Sequence, residues 1–219
     1  MQQDRIAQSN LQSTTLYTPA LNMFINSPSQ EKHNCTPLSK IEDLLAAYPL
    51  PSADLRLRQA DPAQDIPVLT ELVNSAYSVE TGTEGERFKS VLRWVDRDPE
   101  DHFDKEGATI VLEKEGRIVG MVFLERDGPE RCLFGPFAVD PSAQGKGYGQ
   151  LLLALAEEVA RAEPGVKTLG LHVANVRGSL INYYKRRGFE DTGEETDFPE
   201  EHKWRTTKPV KFVVLEKKL

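Results

Sequence analysis

The segment Ala138-Val139-Asp140-Pro141-Ser142-Ala143-Gln144-Gly145-Lys146-Gly147-Tyr148-Gly149 holds the residue types and spacing best suited to chemistry. Its glycines let the backbone turn tightly and gather several N–H groups in one concavity. A helix that starts there adds the positive end of its dipole, and the two together suit a pyrophosphate. The spacing is not the G-x-G-x-x-G of a dinucleotide fold, and no Lys-Ser/Thr pair closes it as in a P-loop. Taken alone, a tight strand–helix turn without ligand explains the same residues equally well. Residues able to move a proton stand elsewhere in the chain, among them the acids Glu125 and Glu80, His172 and the phenol of Tyr184, with Tyr183 beside it. An imidazole titrates in the useful range, and a phenol near ~10 stays protonated and can donate. Each also has a plainer reading, as a core or rim aromatic or a histidine with a structural hydrogen bond.

These residues need elements to hold them. Residues 55–58 alternate Leu-Arg-Leu-Arg, as a half-buried strand does. After Asp61-Pro62, a helix is expected from about Asp65, since Pro67 disfavours an earlier start. Leu69, Leu72, Val73 and Ala76 share one of its faces. Thr83-Glu84-Gly85-Glu86 is a capping-box pattern before Phe88, Val91, Leu92 and Val95, which predicts a second helix. Residues 96–107 read as a loop. Residues 108–113 and 117–125 form a hairpin around Lys114-Glu115-Gly116, and 131–139 is a third strand. The period then changes. Residues 147–162 are helical, with Leu151, Leu152, Leu155 and Val159 inward. A strand at 168–173, a helix at 178–187, a strand opening at 189–192 and a last strand at 210–217 complete the series. The unit 131–173 implies a parallel pair with a right-handed crossover. The fold class is therefore α+β, a mixed and mostly antiparallel sheet flanked by helices.

The chain has 219 residues, with 27 Lys and Arg against 34 Asp and Glu, a net charge of −7. That balance argues against a general nucleic-acid partner, whose phosphates need a basic face. Cys35 and Cys132 are the two cysteines, and no C-x-x-C or His-rich cluster suggests a metal. Cys132 reads as a buried small residue. The longest apolar run, 151–156, is far below the ~20 residues of a membrane span. No signal-peptide pattern opens the chain, so a cytoplasmic protein without membrane or nucleic-acid partners is expected. Residues 1–34 are rich in Gln, Ser, Thr and Asn. Such composition cannot offset its ordering entropy. Residues 1–54 are expected to be an extension, partly disordered, with a short helix at 40–47 after the capping box Ser39-Lys40-Ile41-Glu42. Residues 55–219 form the main domain.

Val139-Asp140-Pro141-x-x-Gln144-Gly145-x-Gly147-x-Gly149 resembles the acyl-CoA signature of the GNAT superfamily of N-acetyltransferases, with Gln144, Gly147 and Gly149 on its Gln/Arg-x-x-Gly-x-Gly/Ala pattern. Downstream, Asn175-Val176-Arg177 and then Tyr183-Tyr184-Lys185-Arg186-Arg187-Gly188-Phe189 resemble the family's second segment. The order of elements matches over about residues 55–219. The resemblance implies a splayed parallel strand pair and acetyl-CoA as co-substrate, without a metal. Phe137, Ala138 and Val139 would hold the pantetheine arm by main-chain bonds. Gln144, Gly145, Lys146, Gly147, Tyr148 and Gly149 would hold the pyrophosphate, with Asn175 and Tyr184 as further cofactor contacts. A strand N–H would face the thioester oxygen, a donor of the kind worth roughly 3–4 kcal/mol. Tyr184 takes the general-acid position. For the base, Glu125 ranks above His172, and His172 above Glu80.

The implied activity is transfer of acetyl from acetyl-CoA to a primary amine of a small or amino-acid-like molecule, by direct attack in a ternary complex. Two alternatives stand beside it: a protein or peptide N-acetyltransferase, and a non-catalytic acyl-CoA-binding or interaction module. Either a monomer or a homodimer fits. The acids Glu190, Asp191, Glu194, Glu195, Asp197, Glu200 and Glu201 could rim the acceptor side for a cationic substrate, or only keep a loop solvated. Tyr77, Trp94, Phe198 and Trp204 could line an apolar pocket there, or belong to the core.

Overall fold

The computed structural model describes residues 41–78, 107–197 and 211–219. Its elements run α1 (Ile41–Ala47), β1 (Leu55–Gln59), α2 (Pro62–Ser78), β2 (Gly107–Lys114), β3 (Arg117–Asp127), β4 (Arg131–Val139), α3 (Tyr148–Ala162), β5 (Thr168–Ala174), α4 (Gly178–Lys185), β6 (Glu190–Asp197) and β7 (Lys211–Lys218). The strands form one seven-stranded sheet in the order β1-β2-β3-β4-β5-β7-β6. Every pairing is antiparallel except β4 with β5. The expected mixed sheet and its parallel pair are present. The second helix, the loop after it and the Ser39 capping box fall outside the described residues, as do Glu80, Trp94, Phe198 and Trp204. No helix among the described residues is long and apolar enough to cross a membrane.

Helices cover both faces of the sheet, so β2 and β3 are nearly unbroken buried runs. On one face, Leu69, Leu72 and Val73 of α2 pack on Val111, Met121, Phe123 and Ala138. On the other, α1, α3 and α4 pack on Ile110, Leu112, Val122, Leu124, Leu171 and Leu215. Leu152 and Leu155 of α3 are fully buried there, each contributing about 2 kcal/mol by burial. Ile41 and Leu45 of α1 join the same cluster, so the last part of the extension belongs to the core.

The start of α2 differs from expectation. It begins at Pro62 rather than near Asp65. Asp61 caps it, its carboxylate accepting the Ala63 N–H at 2.9 Å. Pro62 sits where a helix needs no N–H. Pro67 removes one bond, to the carbonyl of exposed Ala63, where water is available. Asp65, 6% exposed, accepts the Asp61 N–H at 2.7 Å and the Arg58 guanidinium at 2.6 and 3.0 Å. Arg58 also reaches Glu113 at 2.7 Å, so one cation joins β1, β2 and α2.

The strand pair that matters most is short. Only Arg131, Cys132 and Leu133 of β4 face Thr168, Leu169 and Gly170 of β5. Beyond them β4 pairs with β3 alone and β5 with β7 alone. Against β3, Val122 faces Phe137 and Leu124 faces Phe134, so Gly135 and Pro136 together oppose Phe123. That extra residue is a bulge, which bends β4 away from β5.

The Arg58 guanidinium holds the Asp65 carboxyl below the usual carboxylate range. Asp65→Asn is expected to cost about 2 kcal/mol, a fall in Tm of about 4–8 °C at this chain length. The folded-state value lies below the unfolded ~3.9. The wild-type advantage is thus complete above that pH and lost as the pH falls through the folded value. Thermal melts of both proteins from pH 7 into acid check this, and a Tm gap that does not narrow overturns it.

Candidate acyl-transfer site

Where β4 and β5 part, a cleft of about 580 Å³ opens. Its walls are residues 134–139 of β4 and 171–174 of β5, with α2 on one side and α4 and the α3 start on the other. Strand halves that lack a sheet partner present main-chain donors and acceptors, which an extended ligand can satisfy as an added strand. Phe137, Ala138 and Val139 lie on such a strand half and line the cleft. One of the donors, the Phe137 N–H, is directed at the phenol of Tyr77 on α2.

The Gly-rich turn forms the mouth. Asp140 organises it, accepting the Ser142 N–H at 2.8 Å and the Ser142 hydroxyl at 2.7 Å. The Gln144 side-chain amide donates to the Val139 carbonyl at 3.2 Å. Gly145 and Gly147 have φ of 77° and 85°, and an added Cβ on either would meet open space. Gly147 is the N-cap of α3 and gives no side-chain bond to the helix. The first N–H groups of α3, on Tyr148, Gly149 and Gln150, thus lie beyond an uncapped, open start. An open helix start of this kind is suited to a phosphate-bearing ligand. Lys146, expected among the contacts, is exposed and does not line the cleft.

Strand register divides the proton-handling groups between two faces. Glu125 pairs with Leu133, and Leu133 with Gly170, so these point to one side. His172 is two residues on from Gly170 and shares that side, which is the face of α2. Both line the cleft, and Glu125 is 8% exposed. Burial and the nearby Arg131 push the His172 imidazole below its ordinary value. It is neutral at pH 7 and able to accept a proton. Tyr184 enters from the α4 side, 4% exposed, edge-on to Phe134, Tyr183 and Phe189 at 5.9, 5.2 and 5.6 Å between ring centroids. Burial raises its phenol well above the ordinary value, with the neighbouring phenols adding to the shift. It keeps its proton at any working pH, so it is able to give a proton and not to take one.

Asn175 is not brought to the site. It is exposed, and its side-chain oxygen accepts the Lys211 N–H at 3.3 Å. Arg177, the residue just before α4, lines the cleft instead. The sequence reading gave Arg177 no role. Its position between a strand end and a helix start was the only signal. Tyr77 does line the cleft, as envisaged. The acids of the 190s do not: residues 190–197 form the terminal strand β6, away from the cleft lining. Cys132 is fully buried, and burial pushes its thiol up to about 12, so it is no nucleophile.

The acetyltransferase (GNAT) family model matches residues 68–189, over half of the chain. The chain belongs to this family. Among GNAT structures, the ribosomal-protein-S18-alanine N-acetyltransferase of Escherichia coli superposes with a TM-score of 0.57 at 18% identity, over 75% of this chain and 93% of that one. The PaiA N-acetyltransferase of Thermoplasma acidophilum, solved with coenzyme A, gives 0.53 at 14% identity, over 75% and 99%. These likenesses establish the fold. A curated relative, the S-(2-succino)cysteine N-acetyltransferase of Bacillus subtilis (strain 168), is 34% identical over 98 residues. That match covers 42% of this chain and 59% of the relative's length.

Gly147→Val forces a β-branched residue into a left-handed conformation, a strain of about 1–3 kcal/mol, and fills the open cradle. The expected result is a KM for acetyl-CoA raised about 10-fold or more with little change in saturated turnover. An unchanged KM removes the turn from the binding site.

Proposed function

We propose that this GNAT protein transfers the acetyl group of acetyl-CoA to the primary amine of a small, amino-acid-like molecule. The observation that carries this reading is the two-faced cleft. It has base candidates on the α2 face, a buried donor phenol on the α4 face and an open helix start at its mouth. The curated relative, named for an acetylated cysteine derivative, supports a small acceptor. The E. coli neighbour is named for a ribosomal-protein alanine, so the fold itself serves both acceptor kinds.

Acetyl-CoA supplies an acetyl group activated by a thiol leaving group. The turn 144–149 binds the phosphates, and residues 137–139 hold the arm by main-chain bonds. Glu125, with His172 on the same face of the sheet, removes a proton from the acceptor ammonium, which at a pKa near ~10 is charged at pH 7. Tyr184 holds a proton at Oη for the departing sulfur. The buried walls keep water from the same carbonyl. Ammonium and thioester give amide, free thiol and one released proton. Residues 55–219 form the transferase domain in this reading, with residues 41–50 packed as part of its core.

Thiol release from acetyl-CoA across a panel of amines tests the activity, and release with none of them removes it. Tyr184→Phe is expected to lower kcat about 10–100-fold while leaving the KM for acetyl-CoA unchanged, and full turnover in this variant rules out the donor role. Glu125→Gln is expected to lower kcat/KM by about 100-fold or more and to erase the acidic limb of its pH profile. If His172→Gln erases that limb instead, the base is His172. In that case the wild-type limb lies below the ordinary histidine value, as its lowered pKa requires.

A further inference from the structure

Helix α4 and the turn that closes it present one stripe to the cleft. Leu180, Tyr183, Tyr184 and Arg187 recur at the spacing of a single helix face, and all four line the opening. Tyr184 has its part in the chemistry, and Leu180 is apolar packing. Tyr183 and Arg187 have no part so far. The Arg187 guanidinium carbon lies over the Tyr183 ring, 3.5 Å from its centroid, which is stacking distance. One of its N–H groups donates to the Tyr183 carbonyl at 3.2 Å. The half-buried guanidiniums of Arg58, Arg126 and Arg131 each meet a carboxylate. Arg187 is half-buried too, yet no carboxylate among the described residues pairs with it. A helix end favours cations, and Lys185 and Arg186 meet that preference from exposed positions. It does not call for a cation stacked on a ring in the wall of a cleft. Such a stack is a flat, positively charged step, suited to a planar ring and an anion together.

CoA ends in that pair of groups, an adenine and a 3′-phosphate. In the reading above, the turn 144–149 takes the pyrophosphate, residues 137–139 the arm and Tyr184 the sulfur. The nucleoside phosphate beyond the pyrophosphate is left without a seat. The α3 start and the α4 stripe form one side of the cleft, and Tyr148, Leu180 and Tyr183 pack on the same cluster. A cofactor bent at its pyrophosphate can therefore lay its outer end against α4. We propose that Tyr183 and Arg187 form the nucleotide subsite of this cleft, the stacked pair taking the adenine and the Arg187 guanidinium the 3′-phosphate of CoA. The inference rests on the transferase reading in one respect, that CoA is the carrier. Glu125 and His172 lie on the α2 face, so the stack reads the acyl donor and not the acceptor. It selects a CoA thioester over one carried on phosphopantetheine alone.

Calorimetric titration of the full chain with CoA, dephospho-CoA and 4′-phosphopantetheine tests this without an acceptor. The wild type is expected to bind CoA about 10-fold or more tighter than dephospho-CoA. Arg187→Gln should bring that ratio to within about 3-fold. Arg187→Lys should keep part of it, since the charge stays and the stacking plane goes. Tyr183→Leu should weaken CoA and dephospho-CoA alike by about 5-fold or more, and leave 4′-phosphopantetheine, which has no base, unchanged. Because each ratio is internal to one protein, a partly unfolded variant does not imitate the result. Equal affinity of the wild type for CoA and dephospho-CoA overturns the proposal. So does a preference that survives Arg187→Gln. Thiol release across the amine panel is a separate readout. No release with any amine, beside CoA binding that depends on the 3′-phosphate and on Arg187, removes the transferase reading and keeps the subsite. Release with equal use of acetyl-CoA and acetyl-dephospho-CoA keeps the transferase and removes the subsite.

Discussion

Arg131 holds the sheet together at the place where it begins to come apart. It is the first residue of β4 and faces Thr168 across the parallel pair. Its guanidinium donates to Asp127 of β3 and to Glu216 of β7, each at 2.7 Å, and lies 3.5 Å from Glu194 of β6. Four strands thus converge on one cation. Three paired residues are a thin join for two parallel strands. A single exposed ion pair adds about 0–1 kcal/mol, but a shared, half-buried hub couples its partners. Arg126 reinforces the same end, donating to the carbonyls of Pro129 and Pro164 at 2.8 and 2.7 Å and so tying the β3–β4 turn to the end of α3. With the base fixed in this way, the upper halves of β4 and β5 can diverge without the sheet unzipping.

The divergence creates a boundary between two environments. On the α4 side, aromatic rings enclose Tyr184 and keep its phenol neutral. On the α2 side, Glu125 and His172 share a polar wall. A single strand pair could not separate these settings if it stayed closed, because the sheet itself would block passage from one to the other. The bulge at Gly135 and Pro136 is the local device that opens it.

Much of this was legible in the residues. The hairpin, the α3 face and the Gly-rich turn follow from local rules of period and backbone freedom, and the structure has them where those rules place them. The sequence pattern places the start of α2 three residues late because Pro67 reads as a helix breaker. Its cost is small where the orphaned carbonyl meets water, and the Asp61–Asp65–Arg58 network outweighs it. The site was harder to read. Glu125 and His172 lie 47 positions apart in the chain. Only the register through Leu133 and Gly170 shows that they share a face. Asn175 and Arg177 illustrate the same limit, since two neighbouring residues leave one strand end in different directions. Local sequence cannot say which of them turns inward.

One strand has a bearing beyond the site. Among the described residues β6 is the last strand of the sheet and pairs with β7 alone. It carries Glu190, Asp191, Glu194, Glu195 and Asp197, nearly all exposed. Lys185, Lys211 and Arg131 stand against Asp191, Glu195 and Glu194 of that row. A second copy adding its own β6 would bring carboxylates to within about 5 Å of one another, a repulsion that added salt weakens further. The five acids of β6 thus give this sheet edge a charge pattern poorly suited to pairing with a second copy of itself.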